Sequence, residues 1–189
     1  MKYFFLGLLL ILLTLKNVLS NEVISGIENN WNNIKSMSGQ FEQIDSDGNT
    51  SFGNFFFLKP YKSKFEYEDR YEDIITNKSL MLIVDKEGFQ IESYAIGNSV
   101  LKKLLSDNIK INDEFDIVSL KEEDKFYKLL LTTKEDPTES KIQFTFDRSS
   151  LDLKKWDIYD EFGNKTVFKF TKIKKNIFIS QNLFVVKYN

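Results

Sequence analysis

Several short segments of the chain alternate apolar and polar residues with a period of two. The alternation is clearest in Lys64–Glu68 (KFEYE) and Lys141–Asp147 (KIQFTFD), and shorter examples occur at Phe89–Glu92, Trp156–Ile158 and Thr166–Phe170. This period places the apolar side chains on one face of a strand and the polar side chains on the other. The pattern therefore predicts a set of β-strands that each bury one face.

Turn sequences lie between these segments, at residues 46–49 (SDGN), 86–88 (KEG), 135–137 (EDP) and 161–164 (EFGN). Gly and Asn tolerate the positive φ that tight turns need, and Asp and Pro favour turn geometry. Short turns join antiparallel strands, because parallel strands need much longer crossover connections. We therefore expect a mainly β fold with short helices (α+β), built as an antiparallel meander without βαβ units.

Two segments show helical periodicity instead. From Glu22 to Met37 the apolar residues recur at steps of three and four, which predicts one apolar stripe on an amphipathic helix. A shorter helix is predicted over Ser99–Ser106, with Asn98 or Ser99 as its N-cap. Its apolar side consists of Val100, Leu101, Leu104 and Leu105. Neither helix is long enough to organise a bundle, but each suits the opening of a curved sheet.

Aromatic residues make up 15% of the chain, and 18 of them are Phe. A sheet with one apolar face and two short helices has more aromatic surface than those helices cover. Either the sheet curls and fills its interior with side chains, or it encloses a space for an apolar ligand. From the residues alone, the filled interior is the default and the ligand cavity is the alternative.

The first 20 residues have the parts of a cleavable signal peptide. Lys2 provides the basic start, Phe4–Leu15 is an apolar run, and Val18-Leu19-Ser20 precedes the cleavage point. A membrane anchor is the alternative, but this run is shorter than the roughly 20 residues that a spanning helix needs. We therefore predict a signal peptide at residues 1–20 and a single domain at residues 21–189. The chain has no Cys, so its stability must come from a core and not from disulfides.

Charge and composition exclude several classes of function. Cleavage of the signal peptide removes two lysines, which takes the net charge from −2 to −4. A mildly acidic chain with scattered lysines is a poor candidate for binding nucleic acid. Because the chain lacks both His and Cys, it holds neither a Ser-His-Asp nor a Cys-His arrangement and no ordinary structural zinc site.

The acidic clusters do not restore an enzyme or a metal site. Glu122-Glu123-Asp124 stands between two lysines and indicates a solvated loop. Asp45-x-Asp47-x-Asn49 resembles the start of a calcium loop, but Thr50 and Phe56 occupy the positions that need Gly and Glu. We therefore expect no enzymatic activity, no cofactor and no bound metal.

Two blocks of residues resemble a known family. The front block contains Phe41-Glu42-Gln43, Gly53, Lys59-Pro60 and Lys64-Phe65-Glu66-Tyr67. The second block combines aromatic, turn and aspartate positions at Leu153, Trp156, Ile158, Asp160, Gly163, Thr166, Phe170, Ile173, Asn176 and Phe184. Together they are similar to the periplasmic outer-membrane lipoprotein carrier family (LolA), and they span most of Met37 to Phe184.

The resemblance implies an unclosed antiparallel β-barrel with an α-helical lid over a hydrophobic cavity for acyl chains. It also implies a monomeric periplasmic chaperone that carries triacylated lipoproteins from the inner to the outer membrane. An inner-membrane ABC-type lipoprotein exporter would load it, and an outer-membrane acceptor lipoprotein would unload it. The alternative is a periplasmic lipid- or lipoprotein-sensing module with the same half-barrel.

The resemblance, combined with the apolar positions above, gives a set of candidate cavity residues: Trp31, Phe41, Phe55, Phe57, Phe65, Tyr67, Ile83, Phe89, Ile91, Leu101, Leu104, Leu105, Ile142, Phe144, Phe146, Trp156 and Ile158. It also implies that Lys59, directly before Pro60, bonds to lid carbonyls and assists transfer to the acceptor. The family usually has Arg at this position and at that of Lys64. Lys keeps the charge but loses the planar fork, so its bonds to the lid should be fewer and weaker.

Overall fold

The computed structural model of the protein describes residues 20–97, 99–134 and 141–188. Most of them belong to one antiparallel sheet of 11 strands, in the order β6-β5-β4-β3-β2-β1-β11-β10-β9-β8-β7. The strands are β1 (Ser36–Ile44), β2 (Thr50–Leu58), β3 (Lys62–Tyr67), β4 (Glu72–Asn77), β5 (Leu80–Asp85), β6 (Gln90–Ala95), β7 (Phe115–Glu122), β8 (Phe126–Thr133), β9 (Lys141–Asp147), β10 (Leu153–Tyr159) and β11 (Lys165–Lys175). Strands β6 and β7 are the two edges, so the barrel is not closed and the predicted fold class is confirmed.

Three α-helices accompany the sheet within these ranges: α1 (residues 20–32), α2 (Val100–Leu104) and α3 (Ile111–Glu114). The predicted N-cap at Ser99 is correct, since its side chain accepts a hydrogen bond from the Lys102 N–H. Helix α1 stops at residue 32 and does not continue to Met37 as predicted. The reason is that Met37 pairs with both β2 and β11 and is therefore part of the sheet.

The alternating segments mostly became strands as predicted. Strand β9 has the predicted bounds. The alternating segments at residues 64–68, 156–158 and 166–170 lie within β3, β10 and β11 or overlap them. The segment at residues 89–92 also lies largely in a strand, β6, but β6 does not bury one face, because all of its residues after Gln90 are exposed. A bulge between the pairs Ile83–Glu92 and Val84–Gln90 breaks the alternation, and an edge strand has a neighbour on one side only.

The predicted turns at residues 46–49, 86–88 and 161–164 all connect neighbouring strands. The predicted turn at residues 135–137 and residues 1–19 of the predicted signal peptide lie outside the described residues. Within the described ranges, none of the helices combines the length and apolarity that crossing a membrane requires.

The main core lies on the inner face of the sheet, which we define by Phe55, Phe57 and Phe65. Helix α1 packs on this face through Ile24, Ile27 and Trp31, as its periodicity predicts, and Ile34 just after the helix is buried in the same core. The segment at residues 96–114, which we call the lid, carries α2 and α3 from β6 to β7. It therefore covers the same interior and joins the two open edges of the sheet.

A smaller core lies on the outer face. Ile75, Leu82 and Val84 from β4 and β5 pack there against Ile179 and Phe184, which belong to the chain after β11. This terminal segment contains a short 3₁₀ helix, Gln181–Phe184. The sheet therefore buries apolar residues on both faces. The terminal segment covers the outer face at β4 and β5, and α1 with the lid covers the inner face.

Candidate functional site

A continuous aromatic wall lines the inner face around Trp156. The rings of Phe57, Phe65, Phe144, Phe168 and Phe170 have centroids within 6.2 Å of the Trp156 ring. Most of these ring pairs are tilted or edge-on, which is the favoured geometry for aromatic contacts. The side chains come from β2, β3, β9, β10 and β11. The wall therefore spans the centre of the sheet and offers a surface with few directional contacts.

The packing of Phe41 and Tyr67 beside this wall requires a glycine at position 53. Gly53 lies opposite both Phe41 and Tyr67, whose rings make an edge contact at 5.1 Å. A Cβ added at Gly53 would lie 1.9 Å from the Glu66 carbonyl oxygen and 2.8 Å from the Phe41 ring. The glycine is required here because the backbone of β3 and the Phe41 ring occupy the place of a side chain.

The underside of the lid is apolar and packs on this interior. Val100, Leu104, Leu105, Ile109 and Ile111 are all buried in the main core. Helix α2 has only five residues and α3 only four, so neither is stable without tertiary contacts. The position of the lid is thus set by packing and by hydrogen bonds to the rest of the protein.

Three side chains of α1 hold the lid by its backbone, and we call them the α1 latch: Glu28, Trp31 and Asn32. The Trp31 indole N–H donates to the Leu104 carbonyl at 2.8 Å. The Asn32 amide donates to the Ile109 carbonyl at 2.9 Å and accepts from the Ile109 N–H at 2.8 Å. The Glu28 carboxylate accepts from the Ile111 N–H at 2.6 Å. The latch therefore fixes the lid at three points along its length.

Lys59 supports the latch: the hydrogen bond described for its ammonium goes to Trp31 of α1, whereas the resemblance implied bonds to lid carbonyls. Its ammonium donates to the Trp31 carbonyl at 2.8 Å and lies 5.2 Å from the centre of the Trp31 ring. Burial, with a smaller contribution from the charge of Lys35, lowers the pKa of Lys59 to about 8, and Asp107 of the lid opposes the shift. Lys59 therefore reaches the lid through Trp31, whose indole bonds to Leu104.

The interior is nearly full when the lid is in this position. One apolar space beneath the lid has a volume of about 20 Å³ and is lined by residues including Ile27, Trp31, Leu104, Phe144 and Phe146. Pockets for small ligands have volumes of roughly 300–1,000 Å³. The structure is therefore a closed form, in which an acyl chain would have to displace the lid or the side chains beneath it.

Most of the predicted cavity residues come together in this interior. Those buried in the main core are Trp31, Phe41, Phe55, Phe57, Phe65, Tyr67, Leu104, Leu105, Ile142, Phe144, Phe146 and Trp156. Leu101 and Ile158 are partly buried against it.

Ile83, Phe89 and Ile91 lie outside the main core. Ile83 pairs with Ile74 on the inner face but lies one strand from the open edge. Phe89 contacts the Lys187 ammonium instead, at 5.1 Å from its ring centre. Ile91 is 46% exposed, because it is the extra residue of the bulge in β6.

The prediction missed several core residues. Phe168 and Phe170 belong to the aromatic wall, and their period-two spacing in β11 was a usable signal. Leu129 and Leu131 are also in the core, but they lie in the run KLLLTT, where apolar residues follow one another without alternation. Sequence alone does not tell which of these leucines face inward.

A polar cluster occupies the end of β3 farthest from the turn that carries Lys59. The Tyr67 hydroxyl donates to the Gln43 side chain at 2.5 Å, and burial raises the pKa of Tyr67 to about 12. The Asp73 carboxylate accepts from the Tyr67 N–H at 3.1 Å and from the Lys86 ammonium at 2.5 Å. These bonds fix the strands together at this end of the sheet.

Three polar groups on the inner face have no hydrogen-bond partner among the described residues. They are the hydroxyls of Ser63 and Thr76 and the indole N–H of Trp156. All three residues are buried. Buried polar groups in proteins are nearly always paired, since an unpaired one costs free energy.

This arrangement defines a class of protein: an open antiparallel barrel whose apolar interior is covered by a latched helical lid. Residues 32–187 match the model of the family described as outer membrane lipoprotein carrier protein LolA, and the chain belongs to this family.

Individual relatives are distant. The chain is 25% identical over 171 residues to an uncharacterized protein of Rickettsia prowazekii, covering 89% of this chain and 78% of the relative. It is 27% identical over 165 residues to the outer-membrane lipoprotein carrier protein of Cupriavidus pinatubonensis, covering 80% of this chain and 76% of the relative. A crystal structure of an uncharacterized conserved protein from Thermus thermophilus has a TM-score of 0.52 at 7% identity, with 87% and 91% of the two chains covered. This last likeness concerns the fold alone.

Proposed function

We propose that the protein is a periplasmic carrier that takes lipoproteins from the inner to the outer membrane and shields their acyl chains in its interior. The observation that carries the proposal is the aromatic inner wall beneath a lid of two short helices, which packing and hydrogen bonds to α1 hold in place. Membership of the lipoprotein carrier family gives this wall its ligand class. On this proposal the protein binds its cargo and catalyses no reaction.

The physical need for such a carrier follows from the acyl chains. Transfer of a chain out of water is worth about 0.8 kcal/mol per buried methylene, so three chains disfavour water by tens of kcal/mol. A carrier must cover that surface and later release it. Aromatic and aliphatic walls meet both needs, because they bury apolar area without fixing one geometry.

The lid supplies the means of entry and release. When it moves away, the undersides of Leu104, Leu105 and Ile109 lose their packing, at a cost of up to about 1.5–3 kcal/mol for each fully exposed side chain. Acyl chains in the interior restore apolar contacts for the same side chains. Cargo therefore stabilises the open form, and an empty protein returns to the closed form.

The same proposal names two partners. An inner-membrane ABC-type exporter would supply the energy to extract cargo from the membrane, and an outer-membrane acceptor lipoprotein would receive it. Lys59 assists delivery of cargo to the acceptor, because its hydrogen bond to Trp31 stabilises the closed form. A stable closed form favours release of cargo over its retention.

Mass spectrometry of the protein purified from its native envelope tests the proposal. We expect a bound triacylated lipoprotein, and in a second measurement we expect binding of a synthetic triacylated lipopeptide but not of the same peptide without acyl chains. Recovery of a free lipid in place of a lipoprotein would favour the lipid-sensing module. If no lipid is bound and the lipopeptide fails to bind, the carrier function is wrong.

A further inference from the structure

Two buried hydroxyls form a polar pair on the inner face of the sheet. Ser63 of β3 and Thr76 of β4 are direct partners in the sheet register. Ser63 is 0% exposed and Thr76 is 1% exposed. In the described part of the chain neither hydroxyl has a hydrogen-bond partner, not even the other one. Ser and Thr on neighbouring strands often bond to each other, so an unbonded pair is a feature to explain.

The pair lies on a row of residues that crosses the inner face. Successive register partners are Phe57, Ser63, Thr76, Met81 and Tyr94, from β2 to the edge strand β6. Phe57 is 3% exposed and belongs to the aromatic wall, whereas Tyr94 is 47% exposed at the open edge. The two hydroxyls therefore lie between the apolar interior and the open edge of the sheet.

The lid closes over the inner end of this row. The Tyr61 N–H donates to the Leu105 carbonyl at 2.7 Å, and Tyr61 comes two residues before Ser63. Leu105 is itself 1% exposed in the main core. A movement of the lid that admits acyl chains therefore uncovers the neighbourhood of the hydroxyl pair.

The chemistry around the pair selects a neutral acceptor. In the sheet register the residues that flank the pair on the inner face are Phe57, Phe65, Ile74 and Met81, and none of these four carries a charge. Burying an anion such as a phosphate among these apolar side chains would be costly. A hydroxyl is a good donor to a carbonyl oxygen, which is neutral and retains hydrogen-bonding capacity when buried.

We propose that Ser63 and Thr76 donate hydrogen bonds to the ester carbonyls of the diacylglyceryl group of the cargo. This assignment rests on the proposed carrier function and specifies how its cavity orients a lipid. With the carbonyls at the pair, the acyl chains extend past Phe57 toward Trp156, and the glyceryl group points to the open edge. The interior thus binds an acylglyceryl group in one direction.

Ester- and ether-linked lipopeptides test the assignment, because the ether analogue keeps the alkyl chains but lacks the carbonyl oxygens. The probes are a synthetic triacylated lipopeptide with an ester-linked diacylglyceryl cysteine and its dialkyl ether counterpart. For the wild-type protein we expect the ester to bind about tenfold more tightly, because a site built for a hydrogen bond rejects an analogue that lacks the acceptor. For the double variant Ser63→Ala/Thr76→Val we expect equal dissociation constants for the two probes.

The outcomes separate this assignment from the carrier function. Equal binding of ester and ether by the wild-type protein, or a preference that survives in the double variant, would overturn the role of the hydroxyls and leave the carrier function standing. Failure of both lipopeptides to bind would overturn the carrier function, and the hydroxyl assignment with it.

The stability of the empty protein gives an independent readout. Because the two hydroxyls make no bond in the closed form, Ser63→Ala/Thr76→Val should leave the free energy of unfolding unchanged or raise it. Ser51→Ala is the matched control, since Ser51 is also buried and its hydroxyl accepts from Arg70 at 3.0 Å. That control should lower stability and leave the ester preference intact. A clear loss of stability in the double variant would make the hydroxyls structural and refute the assignment.

Discussion

Asn32 is the latch residue whose removal should loosen the lid with the least disturbance to the core. Its side-chain amide makes two hydrogen bonds to the backbone of Ile109, at 2.8 and 2.9 Å. A hydrogen bond of this kind contributes about 0.5–1.5 kcal/mol net, so Asn32→Ala should destabilise the closed lid by about 1–3 kcal/mol. The equilibrium constant for lid opening should therefore rise by roughly 5- to 150-fold.

Two measurements follow the lid directly. Amide hydrogen exchange at Ile109 should accelerate by the same factor as lid opening, because that N–H loses its acceptor and its protection together. Binding of a triacylated lipopeptide should become tighter by up to that factor, since the variant spends less free energy on opening. The effect should disappear for a peptide without acyl chains.

Asn33→Ala is the matched control for Asn32→Ala. Asn33 is the next residue and is exposed. Its backbone carbonyl accepts a hydrogen bond from the Asn176 side chain at 3.1 Å, and alanine keeps that carbonyl. Exchange and binding should therefore stay at wild-type values. If Asn32→Ala leaves the exchange rate of the lid and the lipopeptide affinity unchanged, the latch does not control entry and the reasoning fails.

Three further outcomes follow from the site. Lys59→Leu should retain loading but slow delivery to the acceptor, because the closed form loses its bond to Trp31; equal transfer of radiolabelled cargo by variant and wild type would contradict this. The pKa of Lys59 is lowered from 10.5 to about 8, so between these pH values the unfolded chain binds more protons than the folded protein. The free energy of unfolding of the wild type, relative to Lys59→Met, should therefore rise over that window, and a constant difference in denaturant titrations would refute it. Gly53→Ala should destabilise the protein by at least about 1–3 kcal/mol through overpacking against Glu66 and Phe41, which urea unfolding measures.

The strands of the central wall were predictable because their information is local. Residues 141–147 alternate strictly, and β9 has the predicted bounds. Strand β6 formed where the pattern predicted a strand, but the predicted burial of one face was wrong, since the sheet edge and the bulge at Ile91 depend on pairing that the local pattern does not contain. A period-two pattern indicates which residues share a face, but not whether another element covers that face.

The latch was not predictable for a related reason. Glu28 and Asn32 lie among the polar residues of an amphipathic helix, where a solvated role is the ordinary one. Their partners are 77 to 83 residues away along the chain and are backbone groups, which no side-chain pattern reveals. The buried apolar candidates were easier to predict, because the burial of aromatic residues follows from their residue type and their period-two spacing.

Because the lid starts at one margin of the open sheet and ends at the other, it acts as a tether between them. A lid whose two helices stay folded transmits its movement to the strands at both of its ends when it leaves the interior. We therefore expect an occupied molecule to differ from an empty one in the width of the gap between β6 and β7, and not only in the tilt of a helix. The distance between β6 and β7 would then increase with the amount of lipid inside, and a partner protein could detect the bound cargo from that distance without entering the interior.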